Sequence, residues 1–304
     1  MKPCSTTQDF LKLHVLKSSV MNTRLLVTGG AGFLGRHLLQ RANTFLAAGS
    51  LHQTPSLALP GITFHICDLQ RPEEVTLLLD RVQPEILIHT ACSDQGSGQE
   101  AIIPAAGFLA MQTAERRIRF IHLSTDQIFD GTSAPYAEDH SPNPLHPYGI
   151  AKAQAEKLVY SLNPQATIIR TSLLYDLRHP DRQSQGLLRA TSTDKPIRLF
   201  VDEFRCPIWV ENLAEALLEL AELDLPGILH VAGPQSLNRW EFGGSLLEHF
   251  GATPTANILR GTIDESGLVR PKDLSLDISR AQQVLKTPLL SLSEARMMVQ
   301  SSKN

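Results

Sequence analysis

A glycine-rich turn near the start of the chain constrains the fold more than any other feature of the sequence. The apolar run 24–28 has the composition of a buried parallel strand, and glycines follow it directly. Gly30, Gly32 and Gly35 fit the spacing G-x-G-x-x-G, and counting from Gly29 instead fits G-x-x-G-x-x-G. A strand that ends in such a turn and opens a helix is typical of a βαβ unit in a parallel sheet.

Glycine at these positions also suits phosphate binding. The turn requires dihedrals that favour glycine, a pyrophosphate must approach the main chain, and the helix must pack close to the strand. The helix N-terminus offers N–H groups and a positive dipole end to phosphate oxygens. We therefore predict a dinucleotide site, and its contacts on this turn are Gly29, Gly32, Phe33, Leu34 and Gly35.

The adenosine end of this site is less sharply defined. An acidic side chain about 20 residues after the glycines would hold a ribose 2′-hydroxyl, but residues 51–54 contain neither an acid nor an arginine. The choice between NADH and NADPH therefore stays open. Asp68 and Leu69, after the third predicted strand, are candidates for the adenine end. The alternative for Asp68 is a helix cap ahead of Pro72.

The order of apolar segments predicts an α/β fold with a doubly wound parallel sheet, because strands and helices alternate as in right-handed βαβ units. Strands are predicted at residues 24–28, 50–54, 62–67, 85–90, 120–124, 166–172, 197–201 and 227–232. Helices are predicted at residues 32–47, from about Pro72, and at 101–116, 148–161 and 210–223.

The rhythm of the chain also predicts its domains. Residues 21–172 are expected to form the dinucleotide-binding domain, with 208–232 returning to it. Residues 173–207 and 233–304 lose the regular alternation and are expected to form a smaller C-terminal substrate-binding part. Residues 1–20 lack the pattern of a signal peptide and are expected to be a mobile extension.

Tyr148 and Lys152 form the second chemical motif. They stand four residues apart at a predicted helix start, so both side chains lie on one helix face. A lysine cation near a tyrosine hydroxyl favours the phenolate, which turns a weak acid into an acid–base catalyst near neutral pH. The alternative is a helix with an exposed lysine. Ser124 and Thr125, at the end of the fifth strand, offer a hydroxyl to a substrate carbonyl on which negative charge develops.

Composition excludes several other classes of protein. A formal net charge of −3 does not favour nucleic acid or a membrane surface as a partner. No apolar run approaches the roughly 18 residues that span a bilayer. The four cysteines show no C-x-x-C or metal-binding spacing, so we expect no metal and a reducing, cytoplasmic location. His89, in the fourth strand, is expected to be a hydrogen-bonded core residue.

Taken together, these motifs resemble the extended short-chain dehydrogenase/reductase family, and within it the dTDP-4-dehydrorhamnose reductase-like subgroup. The matching segments are residues 28–35, 124–131, 148–152, 170–175, 202–207, 270–271 and 276–277. The resemblance implies a Rossmann-type fold, NADPH or NADH as cofactor, and reduction of a 4-keto sugar linked to a nucleoside diphosphate. Hydride would come from the nicotinamide, and the small-molecule partner would be a nucleotide sugar. A homodimer is the oligomeric state that we expect.

The same resemblance implies roles for individual residues. Thr125, rather than Ser124, corresponds to the catalytic hydroxyl. Tyr148 corresponds to the proton donor, and Lys152 also holds the nicotinamide ribose. Further implied cofactor contacts are Thr90, Ala91 and Thr171. Further implied substrate contacts are Asp126, Gln127, Arg205 and Arg270, with the two arginines at the diphosphate or, alternatively, in surface ion pairs.

Several residues depart from the subgroup pattern. Gln127 stands where tyrosine is usual, Leu173 replaces tryptophan, Arg205 replaces glycine and Ile208 replaces threonine. These departures predict a changed substrate pocket. The alternative function is a non-catalytic dinucleotide-binding regulatory subunit, resembling the β-subunit of methionine adenosyltransferase. A dehydratase is disfavoured, because no glutamate follows Asp126.

Overall fold

The computed structural model describes residues 23–52, 58–91, 100–193 and 195–302. Its main sheet consists of β1 (Arg24–Thr28), β2 (Leu46–Leu51), β3 (Thr63–Ile66), β4 (Ile86–His89), β5 (Arg119–Thr125), β6 (Thr167–Thr171) and β11 (Gly227–His230), numbered along the chain. All pairings are parallel, and the strand order is β3-β2-β1-β4-β5-β6-β11. The strands have few charged residues and are largely buried, as a sheet covered on both faces requires.

Helices cover both faces of this sheet. They are α1 (Phe33–Arg41) and α6 (Val210–Glu222) on one face, and α2 (Pro72–Val82), α3 (Ile102–Arg116) and α4 (Pro147–Leu162) on the other. Side chains of β5 alternate between the two cores. Ile121 and Leu123 belong to the core under α1 and α6, whereas Phe120 belongs to the core under α2, α3 and α4. The predicted doubly wound parallel sheet is confirmed.

The C-terminal half adds smaller elements around one end of the sheet. They are β7 (Leu174–Tyr175), α5 (Arg182–Ser192), β8 (Ile197–Phe200), β9 (Phe204–Arg205), β10 (Ile208–Trp209), β12 (Leu237–Asn238), α7 (Arg239–His249), β13 (Ile258–Gly261), α8 (Ile263–Ser266), α9 (Ser279–Val284) and α10 (Leu292–Ser301). β7 pairs with β10 and β8 with β13 in parallel, while β9 and β12 are antiparallel. The division into two functional parts stays a prediction, and the extension proposed for residues 1–20 lies outside the described residues.

One predicted helix and one predicted strand were wrong in their bounds. The helix predicted at 32–47 ends at Arg41, and the second strand starts at Leu46 rather than at residue 50. Alanine and glycine in 47–49 have poor strand propensity, but β1 and β3 pair with this segment on both sides and override it. Most other predicted elements agree with the structure to within two residues at each end.

The strand order creates the crevice in which a site is expected. β1 lies between β2 and β4, so the chain leaves the sheet in opposite directions from two adjacent strands. Ligands of open α/β sheets bind at the carboxyl ends of the strands at such a point. The glycine turn, Thr90 and Thr125 all follow or end strands at this edge. Within the described ranges, no helix is both long and apolar enough to cross a membrane.

Candidate active site

The glycine turn forms a cradle in which side chains have no room. Gly29 has φ +75°, and a Cβ there would lie 2.6 Å from Cα of Ala91. A Cβ at Gly35 would lie 2.2 Å from the main-chain oxygen of Gly29. Gly32 precedes α1 without any side chain capping the helix, so the first N–H groups of α1 keep their capacity to bind an anion. This cradle fits the pyrophosphate of a dinucleotide.

The remaining cofactor candidates lie around this cradle. Phe33 is half-buried on the first turn of α1, and Leu34 is buried in the core beneath it. The Thr90 hydroxyl donates to the main-chain oxygen of Thr28 over 2.8 Å. Thr171 is buried and lies beside Thr125 in the β5–β6 pair; among the described residues its hydroxyl has no hydrogen-bond partner. Their roles toward a cofactor stay predictions.

Asp68 lies in the loop between β3 and α2. Its carboxylate accepts the N–H of Gln70 over 3.0 Å and lies 3.6 Å from Nε of Arg71 and 4.0 Å from Nδ1 of His52. Arg71 precedes α2 as its cap residue, with no side-chain cap hydrogen bond. The helix-cap interpretation of Asp68 is therefore wrong, because the carboxylate closes a turn before the helix begins. Leu69 beside it is half-buried, and both remain candidates for the adenine end.

The first turn of α4 presses against the segment that follows β5. A Cβ at Gly149 would lie 2.1 Å from the main-chain oxygen of Gln127, so glycine allows this approach. Tyr148 is half-buried, whereas Lys152 is only 3% exposed. The Lys152 ammonium donates to the main-chain oxygen of Leu123, two residues before Thr125. The alternative of an exposed lysine is wrong, and the pair lies where β5 ends.

Thr125 and Asp126 form a buried polar pair next to this helix. The Thr125 hydroxyl donates to Oδ1 of Asp126 and accepts the N–H of Gln127, each over 3.3 Å. The Asp126 carboxylate also accepts from the Ser172 hydroxyl over 2.6 Å. Burial raises the pKa of Asp126, although the nearby Arg205 and the two hydroxyl donors act in the opposite direction. Thr125 is thus held in one orientation at the strand end.

Arg205 and Arg270 share one carboxylate, that of Glu203. Nη2 of Arg205 lies 3.1 Å from Glu203, and Nη1 of Arg270 lies 3.4 Å from its other oxygen. Nε of Arg205 also lies 3.8 Å from Asp126. Glu203 and Arg205 are buried, so a surface ion pair is the wrong description of Arg205. The Arg270 side chain is 45% exposed and does form an ion pair.

A cavity of about 270 Å³ opens beside Glu203 and Arg270. The residues that line it include Arg182, Gln183, Phe200, Arg239, Phe242 and Arg270. Burial, together with the charges of Arg205 and Arg270, lowers the pKa of Arg239, although Glu203 acts in the opposite direction. The cavity therefore combines guanidinium groups with aromatic rings, a combination that suits an anionic ligand with a planar ring.

A model of the RmlD substrate binding domain family matches residues 23–300. The chain belongs to this family. The dTDP-4-keto-6-deoxy-D-glucose reductase of Streptomyces niveus is 30% identical over 244 residues, which cover 77% of this chain and 81% of that protein. The β-subunit of methionine adenosyltransferase 2 from Bos taurus is 27% identical over 284 residues, which cover 87% and 83%. The subgroup inferred from the motifs is confirmed.

A known crystal structure shares this fold. The dTDP-4-dehydrorhamnose reductase of Bacillus anthracis, solved in complex with NADP, superimposes with a TM-score of 0.76. The two sequences are 21% identical, and the match covers 93% of this chain and all of that one. This likeness confirms the Rossmann-type fold.

The prediction from sequence omits three residues of this RmlD-family site. Arg239 lies outside the matched segments, and its place at the cavity arises from tertiary packing. Ser172 lies within the matched segment 170–175, but nothing in the sequence pairs its hydroxyl with Asp126. Glu203 lies in the matched segment 202–207, where an acidic residue two positions before Arg205 indicates a possible ion pair with it. His89 is buried and its Nδ1 lies 2.7 Å from the Thr28 hydroxyl, which confirms the hydrogen-bonded core residue.

Proposed function

We propose that this chain is an NADPH- or NADH-dependent reductase of a 4-keto sugar linked to a nucleoside diphosphate. The observation that carries the proposal is the buried Lys152 four residues after Tyr148, anchored to the main chain of β5 just before Thr125. This arrangement stands at the carboxyl ends of the strands, beside a glycine cradle that fits a pyrophosphate.

The cofactor, when bound, supplies hydride to the substrate carbonyl carbon. Gly29, Gly32 and Gly35 would receive its pyrophosphate through main-chain contact. The Thr125 hydroxyl would turn from Asp126 as the substrate binds and donate to the carbonyl oxygen, where negative charge develops. Tyr148 transfers its phenolic proton to that oxygen, and the Lys152 cation stabilises the phenolate that remains.

Charged side chains connect this reaction centre to the cavity. The contacts run from Thr125 to Asp126, from Asp126 to Arg205, and from Arg205 through Glu203 to Arg270. We assign the diphosphate to the guanidinium groups of Arg239 and Arg270, because planar guanidinium donors match phosphate oxygens. The sugar would then lie toward Thr125, with Gln127 and Asp126 at its side. Arg205, already engaged by two carboxylates, would orient these groups.

A regulatory function is the second candidate, and the similarity to methionine adenosyltransferase β-subunits favours it. The cradle would then hold a dinucleotide without turnover. Measurements of both dinucleotide binding and turnover distinguish the two functions.

The test begins with calorimetry of the purified chain with NADPH and NADH, followed by turnover assays with a panel of nucleotide-linked 4-keto sugars. Tyr148→Phe is expected to keep the dinucleotide affinity and to lower kcat about 10²- to 10⁴-fold, the usual contribution of a general acid. Tyr160→Phe is the matched control, since Tyr160 lies on the same helix and is 59% exposed. Full turnover by Tyr148→Phe contradicts the mechanism, and dinucleotide binding without turnover on any substrate favours the regulatory function.

A further inference from the structure

A row of buried polar side chains lies beneath α4, on the face of the sheet opposite to Thr125. His122 and Ser124 are two residues apart on β5 and therefore point to one face, together with Phe120. Phe120 packs in the core that α4 covers. His89, the register partner of His122 on β4, stacks its ring on His122 with centroids 5.3 Å apart. Three polar residues thus lie side by side between the sheet and α4.

These side chains are buried without protein partners for several of their atoms. Across the described ranges, the two ring nitrogens of His122 and the hydroxyl of Ser124 have no hydrogen-bond partner. His122 is fully buried and Ser124 is 5% exposed. A buried polar group without a hydrogen-bond partner destabilises the folded state, so such groups in a native fold usually meet ordered water or serve a function.

The charge nearest to this row is that of Lys152. Its ammonium bonds to the main-chain oxygen of Leu123, the residue between His122 and Ser124. Burial, and then the Lys152 charge, lower the pKa of His89 to about 3 and that of His122 well below 6.5. Both imidazoles are therefore neutral near pH 7, and each offers one N–H donor and one bare nitrogen. An unprotonated ring nitrogen near an ammonium group can accept a hydrogen bond from a water that in turn accepts one from the ammonium.

We propose that His122 and Ser124 bind ordered water beneath α4 and through it fix the Lys152 ammonium, which makes both of them positioning residues for the reaction at Tyr148. The inference rests on the catalytic pair of the proposed function. A water held there would have three polar partners, His122, Ser124 and Lys152, within the usual range of two to four. His89 supports the row from the side, with one nitrogen committed to Thr28.

Other charges around this row are already paired. One turn after Lys152, Glu156 of α4 forms a buried bidentate pair with Arg170 of β6, with contacts of 2.9–3.2 Å. His89 and His122 are the titratable groups that face Lys152 from β4 and β5. The row therefore acts on Tyr148 through the position of one cation.

The test follows the ionisation of Tyr148 by ultraviolet difference titration, in which Tyr148→Phe identifies the signal among the four tyrosines. It needs no substrate. Lys152→Met sets the benchmark, since loss of the cation shifts the ionisation of Tyr148 to higher pH. His122→Phe is expected to shift it in the same direction, His122→Gln to restore it, and Ser124→Ala to give a smaller shift. Adding His122→Phe to Lys152→Met gives no further shift, because His122 acts through Lys152.

Phe120→Leu is the control for altered packing on the same strand and face, and it is expected to leave the titration unchanged. The proposal is overturned if Lys152→Met shifts the titration while His122→Phe and Ser124→Ala do not. A high-resolution crystal structure with no water between His122, Ser124 and Lys152 overturns it as well. If Lys152→Met itself causes no shift, the catalytic pair of the proposed function fails instead.

Discussion

The glycine cradle and the charged cavity are built in different ways. The cradle consists of main chain: Gly29 and Gly35 are defined by the atoms that a Cβ would strike. The cavity consists of long side chains, with Glu203 placed between Arg205 and Arg270. A site built from main chain is rigid and recognises a group that many ligands share. A site built from side chains can bind a different ligand after a substitution.

The departures from the subgroup pattern spare one of these two regions. The residues that depart from the subgroup pattern, Gln127, Leu173, Arg205 and Ile208, follow β5 or lie around β7, β9 and β10. The glycines of the cradle do not depart from it. The departures therefore leave the cradle unchanged and lie outside the lining of the cavity, which Arg205 contacts through Glu203.

The largest expected effect comes from breaking the charge cluster. Glu203→Gln removes a negative charge that balances the buried Arg205 cation. Removal of one partner of a buried ion pair costs about 3–5 kcal/mol of stability. The same change removes a negative charge beside Arg270, so inorganic pyrophosphate is expected to bind more tightly. Urea unfolding and calorimetry measure the two effects. The control is Glu222→Gln on the exposed end of α6, and equal stability of the two variants contradicts a buried cluster.

A smaller effect is expected from breaking the cradle. Gly35→Ala places a Cβ 2.2 Å from the oxygen of Gly29, so the turn must open. Overpacking of this kind costs about 1–3 kcal/mol. If that strain falls on the phosphate site, affinity for NADPH or NADH drops about 5- to 150-fold. Calorimetric titration measures the loss, and pyrophosphate binding at the cavity should not change. Unaltered dinucleotide affinity would show that the cradle is not the phosphate site.

The two regions also differ in how far they could be predicted from sequence. The glycine turn and the pair Tyr148 and Lys152 are local patterns, and their spacing alone carries the geometry. Glu203, Arg239 and Ser172 come from separate segments, and only tertiary packing brings them to Asp126 and the cavity. The sequence places β2 wrongly for the same reason. Pairing with β1 and β3 decides the conformation of this segment, and the low strand propensity of its alanines does not.

A buried histidine next to the C-terminal segment makes stability depend on pH. Burial, followed by the Arg170 charge, lowers the pKa of His230 to about 4. Between pH 6.5 and about 4 the unfolded chain binds a proton that the folded chain does not, so stability falls as the pH falls. His230→Gln is expected to reduce this slope by about 1.4 kcal/mol per pH unit. Unfolding at several pH values measures it, with the exposed His52→Gln as control; an unchanged slope would show that His230 titrates alike in both states.

The smallest expected effect compares two adjacent glycines of α7. A Cβ at Gly244 would meet no heavy atom within 4 Å, whereas a Cβ at Gly243 would lie 2.6 Å from Cδ1 of Leu199 at the cavity wall. Both positions are interior to the helix, where alanine is favoured over glycine by about 0.5–1 kcal/mol. Gly244→Ala is therefore expected to gain about that amount in urea unfolding. Gly243→Ala gains less or loses stability, because the buried Leu199 must move. Since helix propensity is the same for both, the difference between the variants measures the packing of α7 against β8. Equal gains would mean that this wall of the cavity is soft enough to yield, and the contrast between a rigid cradle and an adaptable cavity would then extend to its apolar side.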